Sequence, residues 1–382
     1  MSDLEFRDRK NYPGLEGGPF EVLVRAGEFM DNLPGIIFFA LLFCLAVVIS
    51  WGNWNKAFIL LFFFLTDWML MALLPLARIS YGPAKPPTLM LALFRLPFAL
   101  LPLPWVILAQ VSGTNLVIYG FWIEPQRLNI TYHRLTSPKL SSEQSIRLVH
   151  FGDLHLERVT RRDENLVQTI MELVPDIILF SGDLLSYSNV DDQTSWDEVR
   201  EIFKKLHAPH GVFAVRGTPL IDRQENVRAI FEDVSVHLLE NKKRLLNFDG
   251  TTLQIAGISC SHKPYIDGPK IPAIIGEDNY AFTILLYHSP DLAPISADEG
   301  VDLQLSGHTH GGQVRLPLYG ALYTSSLYGK RFESGRYQLG SMTLYVTRGL
   351  GMEGKAAPRV RFLCPPEITV WDISGSVIKS LD

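Results

Sequence analysis

The most extended feature of the hydrophobic pattern is a set of three long apolar runs in the first third of the chain. They cover residues 33–51, 57–76 and 88–111. Each is about 20 residues long, the length that an α-helix needs to cross the hydrocarbon core of a bilayer. Runs of this length with so few polar residues are not typical of a soluble core. The pattern predicts a transmembrane region over residues 33–123, preceded by a cytoplasmic arm over residues 1–32.

The number of spans stays open because the third run contains Pro97, Pro102 and Pro104. These prolines either kink one helix or divide the stretch into two elements, residues 88–101 and 103–122. Lys and Arg lie in the arm and in the second connection, which the positive-inside rule places in the cytoplasm. Three spans would export the domain that follows, whereas four would keep it in the cytoplasm. We therefore expect a multi-pass protein of the cell (inner) membrane.

Two ionisable residues, Asp67 and Arg95, interrupt the apolar runs. Charged side chains are costly in hydrocarbon, and they usually face a partner or a polar cavity. We expect these two residues either to pair between helices or to lie near a head-group cavity.

From about residue 124 onwards the pattern changes to alternating strand-type and helix-type segments. Buried strand-type runs at residues 146–151, 177–180 and 282–287 are separated by helical patterns, among them residues 164–173 and 196–206. This alternation predicts an α/β domain over residues 124–382.

The candidate chemistry follows these strands directly. Asp-x-His follows the first run, Gly-Asp the second and a single histidine the third, and Gly-His-Thr-His-Gly-Gly-Gln comes later in the chain. In open α/β sheets, ligands bind beyond the carboxyl ends of the strands. Imidazoles mixed with carboxylates suit zinc, manganese or iron better than calcium or magnesium. The candidate metal ligands are Asp153, His155, Asp183, His288, His308 and His310.

Composition and charge narrow the functional class. The net charge of −5 argues against broad nucleic-acid binding. The three cysteines match no zinc knuckle and give no disulfide framework. The first apolar segment begins too late, and is too long, for a cleavable signal peptide.

In order and spacing, these motifs resemble the calcineurin-like metallophosphoesterases. The resemblance covers about residues 124–370, some two thirds of the chain. Its tail, at residues 345–351, 359–362 and 365–368, is similar to a membrane-linked branch that includes UDP-2,3-diacylglucosamine pyrophosphatases. The matching motifs are Gly152-Asp153-Leu154-His155, Gly182-Asp183, Tyr287-His288-Ser289-Pro290 and Gly307-His308-Thr309-His310-Gly311-Gly312.

The resemblance implies a four-layer αββα sandwich that holds two divalent ions, manganese, iron or zinc. The two ions lower the pKa of a water molecule and neutralise charge at phosphorus. Asp183 would bridge the ions, and Asp183 and His308 would also take part in catalysis. By matching position, the first ion would bind Asp153, His155 and His310, and the second would bind His288 and His308.

One motif departs from the family pattern. The third motif, Gly-Asn-His-Asp or Gly-Asn-His-Glu, here reads Gly217-Thr218-Pro219. Thr218 stands where the Asn would bind the second metal, and a hydroxyl is a weaker ligand. Pro219 stands where the His would support the leaving group, and proline offers no donor. We expect a weak second site, with Thr218 as a ligand and His262 or Arg216 as the catalytic group that fills the gap.

The sequence therefore predicts a metal-dependent phosphoesterase that acts on a phosphate or pyrophosphate bond. The resemblance implies a lipid-linked substrate, such as a UDP-diacylglucosamine-type lipid A precursor. The predicted membrane spans agree with it, and so do the aromatic and basic residues between 316 and 338, which suit an amphiphilic phosphorylated molecule. One alternative is a catalytically impaired metal- or phospholipid-binding membrane protein, suggested by Thr218 and Pro219. Another is a membrane scaffold or transporter component, suggested by Asp67 and Arg95.

Overall fold

The helical and the α/β parts of the chain form two compact units in the computed structural model. The change of unit falls between Gln126 and Arg127, and the later stretch Glu353–Phe362 returns to the helical unit. No feature of the hydrophobic pattern predicts that return. The structure describes residues 19–141, 145–248, 251–276, 280–352, 354–355 and 357–375.

In the described part of the helical unit there are five α-helices, the last of which continues through short π and 3₁₀ turns to Gln126. Two helices, Trp54–Leu73 and Leu103–Gln126, are long and apolar enough to cross a membrane. Arg25–Asp31 and Gly35–Ile49, bent by 106°, make a third candidate if they count as one span. The helices are α1 (Pro19–Asp31), α2 (Gly35–Ile49), α3 (Trp54–Leu73), α4 (Lys85–Arg95) and α5 (Leu103–Val117).

The third apolar run is divided, as in the second of the two predicted alternatives. Helix α4 continues as a 3₁₀ turn over Leu96–Leu100, and α5 begins afresh at Leu103. Pro102 is responsible, because a proline pushes the residue before it out of the helical conformation. The alternative of one kinked helix over residues 88–111 is therefore wrong. The part of the run that precedes Leu103, helix α4 with its 3₁₀ turn, is too short to cross a membrane alone. The described residues therefore do not support four full-length spans.

The prediction that Asp67 pairs between helices is confirmed. Its carboxylate lies 2.7 Å from an Arg95 guanidinium nitrogen. The Thr114 hydroxyl lies 3.1 Å from Asp67 Oδ1 and 3.0 Å from Arg95 Nη2. Arg95 also donates to the Gln110 backbone carbonyl at 3.0 Å. This buried cluster links α3, α4 and α5, and each charge meets an opposite charge or an oriented dipole there.

Among the residues that the structure describes, the α/β unit contains two six-stranded sheets and a two-stranded hairpin. The first has the order β1-β14-β2-β3-β4-β5, and the second has the order β12-β13-β9-β8-β7-β6. In the first sheet the neighbouring strands β2, β3, β4 and β5 run parallel. In the second sheet β13, β9, β8 and β7 run parallel. The first sheet contains β1 (Asn129–Ser137), β2 (Ser145–Phe151), β3 (Ile177–Phe180), β4 (Val212–Ala214), β5 (His237–Leu238) and β14 (Glu367–Gly375). The second contains β6 (Lys242–Phe248), β7 (Thr251–Gly257), β8 (Phe282–Leu286), β9 (Leu303–Ser306), β12 (Gly335–Leu339) and β13 (Met342–Val346).

The two sheets share one apolar core, because inward-facing side chains of both belong to the same buried cluster. Leu148 and Phe213 from the first sheet pack in it with Ile255 and Leu303 from the second. Strands β3, β8 and β9 are buried along their whole length, as expected for parallel strands that are covered on both faces.

Helices cover the outer faces of the sheets. The second face of the first sheet packs against α6 (Arg161–Glu172), α7 (Gln193–Lys204) and α8 (Gln224–Ile230). The outer face of the second sheet packs against α10 (Ile271–Ile275) and α11 (Ala293–Asp298), which follow the short α9 (Pro264–Asp267).

Helices α6 and α7 begin about three residues earlier than the apolar pattern predicts, because polar caps define their starts. Thr160 and Asp163 form a reciprocal capping box before α6. The Asp192 side chain accepts from Ser195 N at the start of α7.

Candidate metal centre

The candidate ligands lie on loops that follow the carboxyl ends of parallel strands in both sheets. Because the two sheets pack face to face, these loops meet at one edge of the shared core. In the first sheet, the loop after β2 carries Asp153 and His155, the loop after β3 carries Asp183, and the loop after β4 carries Thr218. In the second sheet, the loop after β7 carries His262, the loop after β8 carries His288, and the loop after β9 carries His308 and His310.

One group of ligand atoms comes from Asp153, His155 and His310, all buried. One atom from each lies within 4.8 Å of the other two. The two Nε2 atoms of the histidines face each other at 3.0 Å. Among the residues that the structure describes, Asp153 Oδ2 is buried without a hydrogen-bond partner. Converging lone pairs and an unsatisfied carboxylate oxygen fit a cation better than they fit a purely protein hydrogen-bond network.

A second group comes from His262, His288 and His308, again buried and within 4.8 Å of one another. His288 Nδ1 lies 2.9 Å from the Ser181 carbonyl, so Nδ1–H donates there and Nε2 is left for a ligand role. Within the described part of the chain, His308 Nε2 is buried and has no hydrogen-bond partner.

Asp183 lies between the two groups. Its Oδ2 is 3.2 Å from His288 Nε2 and 3.5 Å from His155 Nε2. Its Oδ1 accepts from Thr218 N at 2.6 Å. One carboxylate thus contacts histidines of both groups, which is the arrangement that a bridging ligand requires.

The backbone around these ligands is strained. Non-glycine residues in the left-handed region cost about 1–2 kcal/mol each, and such residues concentrate at functional sites. Here the φ angles lie between 44° and 72° at Asp153, His155, Asp183, His262, His308 and His310. The concentration of left-handed residues on the ligand loops supports a functional reading of the site.

Two glycines let the ligand loops approach one another. A Cβ on Gly349, whose φ is +66°, would lie 2.6 Å from Asp153 Cβ, and a Cβ on Gly217 would collide with the Asp183 carboxylate. Both positions therefore require the absence of a side chain.

The carboxylates and imidazoles of the pocket shift one another's pKa values strongly. Burial, together with the charge of Asp183, raises the pKa of Asp153 to about 6. Burial raises the pKa of Asp183 too, but His288 and other histidines outweigh it and hold that pKa below its usual range. Burial lowers the pKa of His288, yet the Asp183 charge and hydrogen bond raise it to about 9. A bound cation would replace the proton that His288 carries.

The other histidines of the second group are ready to act as neutral ligands. Burial and the charge on His288 lower the pKa of His262 to about 3. Burial, with the neighbouring His262 and His288, holds the pKa of His308 well below its usual value. Neutral imidazoles are the form that binds metal.

The structure brings Thr218 and His262 into this pocket, but not Arg216. The Thr218 hydroxyl lies 3.1 Å from His262 Nε2 and 3.3 Å from His288 Nε2. The Arg216 guanidinium instead forms an ion pair with Glu240 at 3.1 Å. Arg216 Nη1 also donates to the Asp222 carbonyl at 3.3 Å, and a catalytic role for Arg216 stays a prediction.

The sequence reading missed Asp222, which holds two ligand loops together. This buried carboxylate accepts from Asp183 N at 2.8 Å, Leu184 N at 2.9 Å and Gly217 N at 2.7 Å. Burial and the nearby Asp183 charge raise the pKa of Asp222 to about 6. The only available signal was an aspartate four residues after Thr218, which by itself predicts no more than a turn.

Buried aspartates and histidines on strand-end loops of two packed sheets define a metal-dependent hydrolase of phosphoester bonds, and the chain belongs to the metallophosphoesterase family. It is 33% identical over 267 residues to the uncharacterized metallophosphoesterase YkuE of Bacillus subtilis (strain 168), a match that covers 68% of this chain and 90% of that protein. No protein-family model matches the chain.

Two more distant relatives carry more specific names. The phosphodiesterase YaeI of Escherichia coli (strain K12) is 24% identical over 268 residues, covering 69% of this chain and 95% of its own length. The UDP-2,3-diacylglucosamine pyrophosphatase LpxG of Chlamydia trachomatis is 26% identical over 315 residues, covering 66% of this chain and 91% of its own length. The resemblance to calcineurin-like enzymes is thereby confirmed.

Proposed function

We propose that this protein is a membrane-bound pyrophosphatase that uses two divalent cations to cleave a lipid-linked nucleoside diphosphate, such as a UDP-diacylglucosamine. The observation that carries the proposal is the position of Asp183 between two groups of buried ligands. Manganese, iron and zinc all suit these donors. When bound, the cations supply an activated water and neutralise charge at phosphorus.

The residues of the pocket would each bind a particular cation. Asp153, His155 and His310 would hold the first cation, and His288 and His308 the second. Asp183 would bridge the two. The protein's own contribution is to fix these side chains in place, because phosphoryl transfer depends mainly on positioning and charge.

The altered third motif favours a pyrophosphate over an alkyl ester as the bond that breaks. The family's supporting histidine is replaced by exposed Pro219, which has no side-chain donor and no N–H. An alcohol leaves as an alkoxide with a pKa close to that of water, roughly 16, and needs a proton. A phosphate group leaves with a pKa of about 6 and does not. A site without that proton donor therefore suits a phosphate leaving group.

A lipid-linked substrate is supported by an apolar hairpin that follows the ligand loop of His308 and His310. Strands β10 (Arg315–Leu316) and β11 (Gly320–Ala321) form the hairpin. Exposed side chains on and beside it are Leu316, Leu318, Tyr319, Leu322 and Tyr323. Such a surface suits the acyl chains of an amphiphilic substrate.

Two basic residues near the hairpin, Arg315 and Lys330, brace it. Arg315 lies 3.2 Å from Glu333, and Lys330 lies 3.6 Å from the same carboxylate. Lys330 also donates to the Tyr319 carbonyl at 2.7 Å. The single carboxylate of Glu333 faces two cations, so a net positive charge remains beside the hairpin, and the pocket's cations would add to its attraction for phosphate.

Two further features support the membrane location and the four-layer fold. The helical unit contains the candidate spans, and the helix Leu103–Gln126 ends three residues before β1 in the sequence. The shared core and the outer helices support a four-layer αββα sandwich.

The test uses the full chain in nanodiscs with Mn²⁺. The substrates are bis(p-nitrophenyl) phosphate, a UDP-linked diacylglucosamine and a dialkyl phosphodiester. We expect turnover of the first two, little of the third, and at least a 10²-fold loss of kcat in Asp183→Asn. The double variant Leu318→Ser/Tyr323→Ser should raise KM for the lipid substrate and leave KM for the soluble diester unchanged.

Three results would decide between this function and its rivals. If the wild type hydrolyses neither bis(p-nitrophenyl) phosphate nor the UDP-linked lipid faster than Asp183→Asn does, the impaired metal- or lipid-binding alternative replaces the enzyme. Equal rates on the dialkyl ester and the pyrophosphate would remove the leaving-group argument. An unchanged lipid KM in the hairpin variant would remove the lipid assignment alone.

A further inference from the structure

The second ligand group contains a histidine that the family pattern does not supply. The calcineurin-like motifs place His288 and His308 at the second cation, together with an Asn that is Thr218 here. His262 comes from a separate loop, after β7, yet its side chain is buried beside these residues. Its ring centroid lies 4.3 Å from that of His308 and 5.8 Å from that of His288.

We infer that His262 is the ligand that replaces the missing third-motif Asn, so that the second cation is held by three imidazoles and the bridging Asp183. One ring nitrogen each of His262, His288 and His308 lies within 4.8 Å of the others. This inference rests on the proposed function and specifies its second metal site.

The contact between His262 and Thr218 supports the replacement directly. His262 Nε2 lies 3.1 Å from the Thr218 hydroxyl oxygen, at the position where the family has its Asn. The shorter Thr side chain leaves room there, and the imidazole reaches the same place from the opposite sheet. Thr218 Oγ1 is also 3.2 Å from Asp183 Oδ2, so His262 arrives beside the shared carboxylate.

The loop that carries His262 is held as rigidly as the other ligand loops. The fully buried Asp267 accepts from Ser261 N and Ser261 Oγ, both at 2.8 Å, and from the Tyr287 hydroxyl at 2.8 Å. His262 itself has a left-handed φ of 56°. A surface-loop histidine without a function would need neither this strain nor this support.

An imidazole in place of an amide oxygen changes which cations suit the site. Amide oxygens suit harder ions such as Mn²⁺ and Mg²⁺, whereas imidazoles suit Zn²⁺, Fe²⁺ and Co²⁺. The second site should therefore favour the softer ions more strongly than an Asn-containing site does. Its ligand number would also be restored, so the inference predicts a second site as complete as one that contains the Asn.

The experiment measures metal content, independently of turnover. Full-length protein is stripped with a chelator and equilibrated with buffered Co²⁺. Bound metal per chain is then measured by mass spectrometry, and the Co²⁺ visible absorption is recorded. We expect two ions in the wild type and in the matched control His207→Ala, whose histidine is exposed and outside the pocket. His262→Ala should weaken one ion by about 100-fold or more and leave the other unchanged.

Rescue and folding controls complete the design. Adding Thr218→Asn to His262→Ala should restore the second ion, because the family's amide then returns. His262→Gln is measured alongside, and the thermal midpoints of all variants are compared in chelator. On the unmutated protein, spin-echo modulation of a paramagnetic ion in the second site, with Zn²⁺ in the first, should count three imidazole nitrogens.

The outcomes separate this inference from the proposed function. If His262→Ala binds both ions with wild-type affinity, or only two imidazoles are counted, His262 is not a ligand while the two-metal enzyme stands. If the wild type binds no ion that Asp183→Asn removes, the proposed function fails and the inference fails with it.

Discussion

Replacement of Asp183 by Asn should weaken both cations while leaving the fold intact. Asn has the same shape, and its side-chain oxygen can still accept from Thr218 N, the 2.6 Å hydrogen bond that positions the loop. What is lost is a buried negative charge next to His288 and His155. Because the charge is shared, the change should reach both ligand groups, unlike a change at a histidine of one group.

The size of the effect follows from what the carboxylates do to a proton on His288. Burial lowers the pKa of His288, but Asp183, with a smaller contribution from Asp153, raises it from 6.5 to about 9. This net balance of the carboxylates against burial is on the order of 3 kcal/mol in favour of a positive charge in the pocket. A divalent cation should feel at least the attraction that a single proton feels. We therefore expect Asp183→Asn to lower metal affinity by roughly 300-fold or more.

The assay is titration calorimetry of chelator-stripped full-length protein with Mn²⁺ or Co²⁺, in two buffers that differ in ionisation enthalpy. Asp191→Asn is the matched control, because Asp191 is exposed and pairs only with Arg223 among its described contacts. The control should bind as the wild type does. In Asp183→Asn the pKa of His288 should fall, so fewer protons should be released per ion bound at pH 7.5.

A wild-type affinity for both ions in Asp183→Asn would refute the bridging role. Loss of one ion with the other unchanged would also contradict it, because it would assign Asp183 to a single site. A lower thermal midpoint in chelator would show instead that the variant is misfolded, so that midpoint is measured first.

Three further predictions concern pH, a loop clamp and the helical unit. Because His288 is protonated below a pKa of about 9 in the cation-free pocket, metal affinity should rise about tenfold per pH unit from pH 7 towards 9; a flat profile by calorimetry would contradict this. Asp222→Ala leaves three buried N–H groups without their acceptor, so chemical denaturation should show a loss of about 3 kcal/mol or more at pH 7.5, and no loss would show that Asp222 is dispensable. Asp67→Ala or Arg95→Ala should each lower the thermal midpoint in detergent, and the double variant Asp67→Leu/Arg95→Leu should be less destabilised than either; equal or additive losses would argue against the pair.

The parallel strands and the ligands that follow them were predictable because both are local in sequence. A buried strand is a short apolar run, and a ligand that follows it occupies the next few positions. The β3 prediction, residues 177–180, coincides with the observed strand Ile177–Phe180. The family motifs added which ligands belong together, and the structure places Asp153, His155 and His310 in one group.

His262 could be predicted only as one of two candidates, and Asp222 and the Arg216 ion pair could not be predicted, because all three depend on contacts between distant residues. His262 lies on a loop with no family motif, and only the packing of two sheets brings it to Thr218. Asp222 acts on backbone N–H groups, whose directions no side-chain pattern records. Arg216 looked available next to the altered motif, and its ion pair with Glu240 becomes visible only in three dimensions.

The helical region shows the same limit in a different form. Apolar composition located the runs correctly, but composition is silent about where a run breaks. The break after Leu101 depends on Pro102. From the sequence, a kink in one helix and a division into two elements were both open. The return of Glu353–Phe362 to the helical unit had no sequence signal at all.

The most direct test of the central claim is an anomalous difference map from crystals of the full-length protein grown with Mn²⁺ or Co²⁺. The two-metal account predicts two peaks in the pocket. One should lie among Asp153, His155 and His310, the other among His262, His288 and His308, with Asp183 between them. A single peak, or none at these side chains, would contradict it.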